Sequence, residues 1–162
     1  MTLREFYVER LRAERPAFLA VLKSIPPEKA AYKPHDRSPS AEQLVWTLTG
    51  ELQACVDAAT KHQAEWQSRP NIGVAEMIAK YEQLSSELAD IAASMDEEAW
   101  NGSAEFLYNG KVVSERPIGQ FLWFILFDAI HHRGQLSTYL RPMGSTVPAI
   151  YGPSADASSA KS

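Results

Sequence analysis

Apolar residues return at intervals of three and four along most of this chain, a spacing that predicts long amphipathic helices. From Thr2 to Lys23 they fall at Leu3, Phe6, Tyr7, Leu11, Phe18, Leu19 and Leu22, lining one side of a first helix. Pro16 has no amide to donate, so a kink or a break into two pieces is expected there. The stretch from Ile25 to Ser40 carries four prolines and no sustained period, and reads as a long connection. Ser40 followed by Gln43 has the form of a capping box, after which Leu44, Val45, Leu48, Leu52, Cys55, Val56 and Ala59 continue as a stripe. A second helix from about Ser40 to Trp66 follows, and Pro70 and Asn71 end that segment. Val74, Met77, Ile78, Tyr81, Leu84, Leu88, Ile91 and Ala92 predict a third. Between Met95 and Pro117 the period changes, and the Asn109-Gly110 pair between short segments signals a small hairpin, because both positions need positive φ. Pro117 suits the start of a last helix that runs unbroken from Ile118 to Leu140, until Arg141-Pro142 stops it. That helix is about 24 residues, or roughly 36 Å, long.

These elements predict an all-α fold: a four-helix bundle with long crossover connections and a small β-hairpin before the last helix. A chain of 162 residues has room for one core. The domain is expected over residues 1–152, with the small polar residues 153–162 forming a disordered tail. The run from Phe121 to Phe127 is apolar on every side of its helix, more than one bundle face can bury. Either the hairpin and the long connection cover the remainder or a second subunit does, which makes a homodimer an expectation.

Composition narrows the partners. Hydrophobic residues make up 45% and charged residues 22%, as in an ordinary globular domain. Lys and Arg total 16 against 20 Asp and Glu, a net charge of -4 with no basic stripe, so nucleic-acid binding is disfavoured. The apolar run at 121–127 is far short of the roughly 20 residues that a bilayer span requires, and no membrane partner is expected. The first residues carry charges from Arg4 onward and lack a signal-like apolar stretch, which points to the cytoplasm. Cys55 is the only cysteine, which removes an intrachain disulfide and a multi-thiolate zinc site, and its place in an apolar stripe marks it as a buried small hydrophobe. No Gly-rich phosphate loop and no G-x-S-x-G elbow occurs.

Candidate chemistry concentrates in residues 128–144. Asp128 and His132 are four apart, so they point the same way one turn apart, and Gln135 and Tyr139 extend that row. A carboxylate and an imidazole so placed can share one divalent metal, with His131, roughly 60° to the side of Asp128, as a substitute ligand or a supporting group. Arg133 points elsewhere. The bland reading is a weak surface ion pair. A catalytic zinc-type centre wants three protein ligands, and the third candidates are Glu51 and, one turn earlier, Thr47 on the second helix. His62 lies about 16 Å along that helix from Glu51, and His35 falls in the long connection, where a histidine is most often just solvated.

The run His131-His132-Arg133-Gly134-Gln135-Leu136, then Tyr139-Leu140-Arg141 and Pro148-Ala149-Ile150-Tyr151-Gly152, resembles the last helix and exit of the DinB-like (YfiT-like) superfamily of metal-dependent proteins. The resemblance implies a four-helix bundle, frequently dimeric, holding a nickel- or zinc-type ion through a histidine of helix two and two residues four apart on helix four. On that pattern His132 matches the final histidine ligand, and Asp128 stands where the family has His and sometimes Glu. Thr47 falls at the helix-two histidine position, where a neutral hydroxyl is a poor ligand. Three outcomes stay open: Glu51 replaces the missing ligand, a two-ligand site survives with extra waters, or the metal is lost. An occupied site implies a metal-dependent thiol transferase or small-substrate hydrolase, with a small-molecule or thiol substrate. Asp128, His132 and Glu51 would then be ligands, Thr47 and His131 the alternative ligands, His131 or Gln135 supporting or substrate contacts, and Tyr139 a proton donor. The rival reading, favoured by Thr47, is a metal-free homodimeric small-ligand-binding or interaction module.

Overall fold

The structure, a computed structural model, describes residues 1–156. Its helices are α1 (Leu3–Lys23), α2 (Ala41–Lys61), α3 (Val74–Ser94), the short α4 (Glu97–Asn101) and α5 (Ile118–Leu140). The strands are β1 (Gln63–Glu65), β2 (Ser103–Tyr108) and β3 (Lys111–Pro117). Among the long helices, α2 packs on α3 and α5, and α1 packs on the same two, so the apolar stripes converge on one shared core. Leu22, Leu48, Met77, Leu88, Leu122 and Leu136 are fully buried there. Each such side chain contributes about 1.5–3 kcal/mol over an exposed one. The chain is therefore mostly helical, with five helices and a three-stranded sheet where the sequence predicted an all-α, four-helix arrangement with one hairpin.

Local chemistry sets most element ends. Thr2 with Glu5 and Ser40 with Gln43 both form reciprocal capping boxes, which fixes the starts of α1 and α2. Asn109 and Gly110 have φ of 51° and 72°, and the turn they make closes β2 against β3 in antiparallel register. Pro16 neither breaks α1 nor splits it: the proline and Arg12, whose carbonyl loses its partner, both face water.

Three boundaries differ from the pattern for tertiary reasons. The second helix stops at Lys61 instead of near Trp66. His62 takes a left-handed conformation, φ 56°, and the next residues pair in parallel with β2, so sheet pairing outcompetes a helical continuation. The short α4 went unpredicted, although Asp96 caps it by accepting from the Ala99 amide. Of the expected disordered tail, residues 157–162 lie outside the described residues, while Asp156 accepts from the Val147 amide at 2.8 Å and from Arg141 at 3.1 Å.

Arg133 points away from the Asp128–His132 row, as its place on the helix implies, and is fully buried in the core. Its Nη1 donates to Glu14 Oε2 at 2.6 Å and its Nη2 to the Tyr151 hydroxyl at 2.6 Å, which in turn donates to Glu14 at 3.0 Å. Phe18 lies against the guanidinium, 4.5 Å from ring centre to Cζ. Burial works against the Glu14 charge, but the hydrogen bonds from Arg133, Tyr151 and Arg10 and the positive charge of Arg133 outweigh it and hold the carboxyl below its ordinary range.

The FLWFILF run is only partly covered. Phe121, Leu122, Ile125 and Leu126 are buried, and Phe106 of β2 packs on Phe121 with ring centres 5.8 Å apart. Phe124 and Phe127 stay exposed beside Leu3 and Phe6. No helix among the described residues is long and apolar enough to cross a membrane.

Two outcomes follow from this packing. A methyl at Gly119 would meet the Trp100 indole at 2.2 Å, so Gly119→Ala should lower stability by about 1–3 kcal/mol, read as a drop in the urea midpoint at unchanged slope. Glu14→Ala strands the buried Arg133 charge and should cost about 3–5 kcal/mol. Because the folded Glu14 pKa is depressed, its contribution is complete above the unfolded value of about 4.3 and is lost as pH falls through the folded value. Denaturation at pH 3 should accordingly find the native chain and the variant closer in stability than at pH 7.

Candidate metal centre

Two helices build the centre. On α5 the four-residue spacing sets Asp128 and His132 on one row, and on α2 Glu51 points inward from a buried turn. The α2–α5 contact brings the rows together. His132 Nε2 lies 3.6 Å from Glu51 Oε1 and 3.7 Å from Asp128 Oδ2, and one ligand atom from each residue falls within 4.8 Å of the other two. These separations are too long for hydrogen bonds. They are close to the roughly 3.4 Å that separates ligand atoms around a tetrahedral ion with bonds of about 2.0–2.1 Å.

Burial grades across the trio. The side chain of Glu51 is 3% exposed, that of His132 21% and that of Asp128 42%, so the site opens outward on the Asp128 side. Burial, followed by the negative charge and hydrogen-bonding of Asp128, pushes the Glu51 carboxyl up to about 9. Glu51 Oε2 is buried with no hydrogen-bond partner, and so is His132 Nδ1. The oxygens and nitrogen form a donor set that suits zinc and its first-row neighbours, and the orphaned carboxylate oxygen supplies capacity that the protein itself does not use. The trio therefore fits a divalent ion. The outer acceptor that usually orients a ligating imidazole through its second nitrogen is missing at Nδ1.

The other candidates stand apart. Thr47 donates its hydroxyl to the Gln43 carbonyl at 3.0 Å, a bond inside its own helix, and the trio does not include it. His131 is exposed and packs edge-on against the His132 ring, centroids 5.2 Å apart, which restricts that ring. Gln135 donates to the Tyr139 hydroxyl at 3.4 Å, and Tyr139 donates to the Pro39 carbonyl at 3.2 Å while packing against Tyr32. Tyr139 thereby ties the long connection to α5, about 10 Å along the helix from His132. His35 and His62 are exposed, the latter at the sheet end of α2. Cys55 is buried one turn after Glu51, and burial, then the neighbouring Glu51, pushes its thiol well up, so a thiolate is disfavoured.

A cavity of about 220 Å³ opens beside Asp128. Phe121, Phe124 and Ile125 of α5 form one wall, Phe106, Ser114 and Arg116 of the hairpin another, and Ala54 and Trp66 complete it. The candidate residues read from the sequence did not include this hairpin wall. Its only trace in the sequence is the alternation that sets Ser114 and Arg116 on one side of β3 and Glu115 on the other.

Comparison with known proteins agrees with this architecture. Residues 2–161 match the sequence pattern of the DinB family. Over 39 residues the chain is 46% identical to "Uncharacterized protein YrdA" of Bacillus subtilis (strain 168), a match spanning 24% of this chain and 23% of that protein. The crystal structure of a DinB-like protein, YjoA, from Bacillus subtilis matches with a TM-score of 0.71 at 20% identity, covering 91% of this chain and 99% of that one. At that identity the likeness concerns the fold. With the family pattern running through nearly the whole sequence, the chain belongs to the DinB family.

Proposed function

We propose that this protein is a metal-dependent enzyme whose four long helices work as a bundle holding a nickel- or zinc-type ion on Glu51, Asp128 and His132. The observation that carries this reading is the buried Glu51 carboxylate, one oxygen of which has no partner, set against a second carboxylate and an imidazole nitrogen. Such an ion supplies a Lewis acid that lowers the pKa of a water or thiol and polarises an electrophile. Group transfer from a small thiol and hydrolysis of a small substrate are the two reactions that chemistry serves.

The chain's own residues have separate tasks in this reading. Glu51 anchors the centre from the core side, where loss of its proton is coupled to charge compensation. Asp128, the most open of the trio, lies at the boundary with the aromatic cavity, where a substrate reaches the centre. His131 restrains the His132 ring, and the aromatic walls line the approach to the centre. Tyr139 acts as a positioning residue, its hydroxyl held on Pro39, and not as the proton donor expected from its place in the row. The same proposal includes a cytoplasmic setting and a homodimer that covers Leu3, Phe6, Phe124 and Phe127.

Elemental analysis of tag-free protein incubated with nickel or zinc should find close to one ion per chain, and Asp128→Ala and His132→Ala should each weaken retention by well over tenfold. No uptake in excess ion would leave the metal-free ligand-binding module that Thr47 favours. With the Glu51 carboxyl near 9, zinc uptake at pH 7 should release about one proton, read by calorimetry in buffers of different ionisation enthalpy. Glu51→Gln should release none. The raised value also gives a sign: the Glu51 contribution to metal-free stability is full below the unfolded value of about 4.3 and declines as pH rises toward 9. Urea midpoints of the chelated protein should therefore fall more between pH 6 and 8.5 than those of Glu51→Gln.

A further inference from the structure

The hairpin wall of the cavity carries a guanidinium with no anion. The pleat of β3 sets Ser114 and Arg116 on the cavity side, opposite Phe106 and Ala104 of β2, while Glu115 faces away and accepts from Ser103. Arg116 Nε and Nη2 both donate to the one Ser114 hydroxyl, at 3.0 and 2.8 Å. Its planar face lies over the Phe124 ring, 5.2 Å from Cζ to centroid. Among the described ion pairs none includes Arg116, and Asp128, the other charged group of the lining, pairs with His132 instead. Ser114 and Phe124 thus hold the fork in place without neutralising it, which keeps the Nη1 edge available for a carboxylate.

The rest of the cavity sets the remainder of the ligand. Aromatic rings from three parts of the chain, Trp66, Phe106 and Phe124, make its walls, which favours a flat apolar body. At about 220 Å³ it is smaller than the roughly 300 Å³ at which pockets for drug-sized ligands begin, so the occupant is small. We propose that this cavity binds a small carboxylic acid with a planar apolar body, the carboxylate on Arg116 and the opposite end toward Asp128. The catalytic meaning of that orientation rests on the metal reading, but the anion site does not.

Phenylacetate and its uncharged amide, titrated into chelator-treated and zinc-loaded full-length protein, separate the possibilities in ¹H–¹⁵N spectra. The acid should shift the Arg116 Nε–H and Trp66 indole N–H signals in both forms and bind at least about tenfold more tightly than phenylacetamide. Arg116→Gln should erase that preference at an unchanged unfolding midpoint, and Arg116→Lys should restore part of it. Equal affinity for acid and amide, or an acid that binds Arg116→Gln as tightly as the native chain, overturns the proposal and leaves the guanidinium a packing element on Phe124. Acid binding that needs zinc and survives Arg116→Gln also overturns it, with the metal centre intact. Acid binding that depends on Arg116 in protein that takes up no metal upholds the anion site and removes only the metal reading.

Discussion

A carboxylate withdrawn from water must find a proton, a cation or a full set of donors, and this protein buries two of them in its core. Glu14 is answered from within the chain by the Arg133 guanidinium and the Tyr151 hydroxyl. Glu51 has no such answer: what faces it is a second acid and an imidazole nitrogen, and one of its oxygens is left without a partner. Two sites with the same desolvation problem are thus resolved differently, one by a guanidinium and a phenol of the chain itself and the other by a proton that burial holds on Glu51 up to about 9.

Both sites face adjacent residues of α5. His132 and Arg133 differ by about 100° around the helix axis, so one reaches α2 and the other reaches α1. This gives the run from His131 to Tyr151 a physical meaning. Its histidine belongs to the candidate centre, whereas its arginine and the later Tyr151 belong to the network that pins the segment after α5 back onto α1. The position of His132 is consequently backed by a buried ion pair one residue away, a rigid support for a side chain whose direction matters within tenths of an ångström.

The additions to the helical core shape access. Cutting α2 at His62 lets the chain turn into β1 and extend the hairpin to three strands, and that sheet lies over the apolar first half of α5. The 220 Å³ cavity is the gap between them, open to Asp128 at one end. On the other side the long connection is held by Tyr139 and by Ala30 and Tyr32, whose carbonyls accept from the first turn of α2. A partly open aromatic cleft therefore adjoins the polar trio.

The four long helices, the capping box at Ser40, the Asn109-Gly110 turn and the Asp128–His132 row were all legible in the sequence, since each depends on residues within a turn or two of one another. Glu51 was legible only as one of several third ligands, because nothing local says which turn of α2 meets α5. The burial of Arg133, the early end of α2 and the cavity behind the hairpin were not legible at all: the partners of those residues lie tens of positions away, and a buried arginine looks in sequence like any exposed one. Short-range periodicity fixed which residues share a face, and the long-range packing of those faces decided which polar groups lost their water and so became available for chemistry.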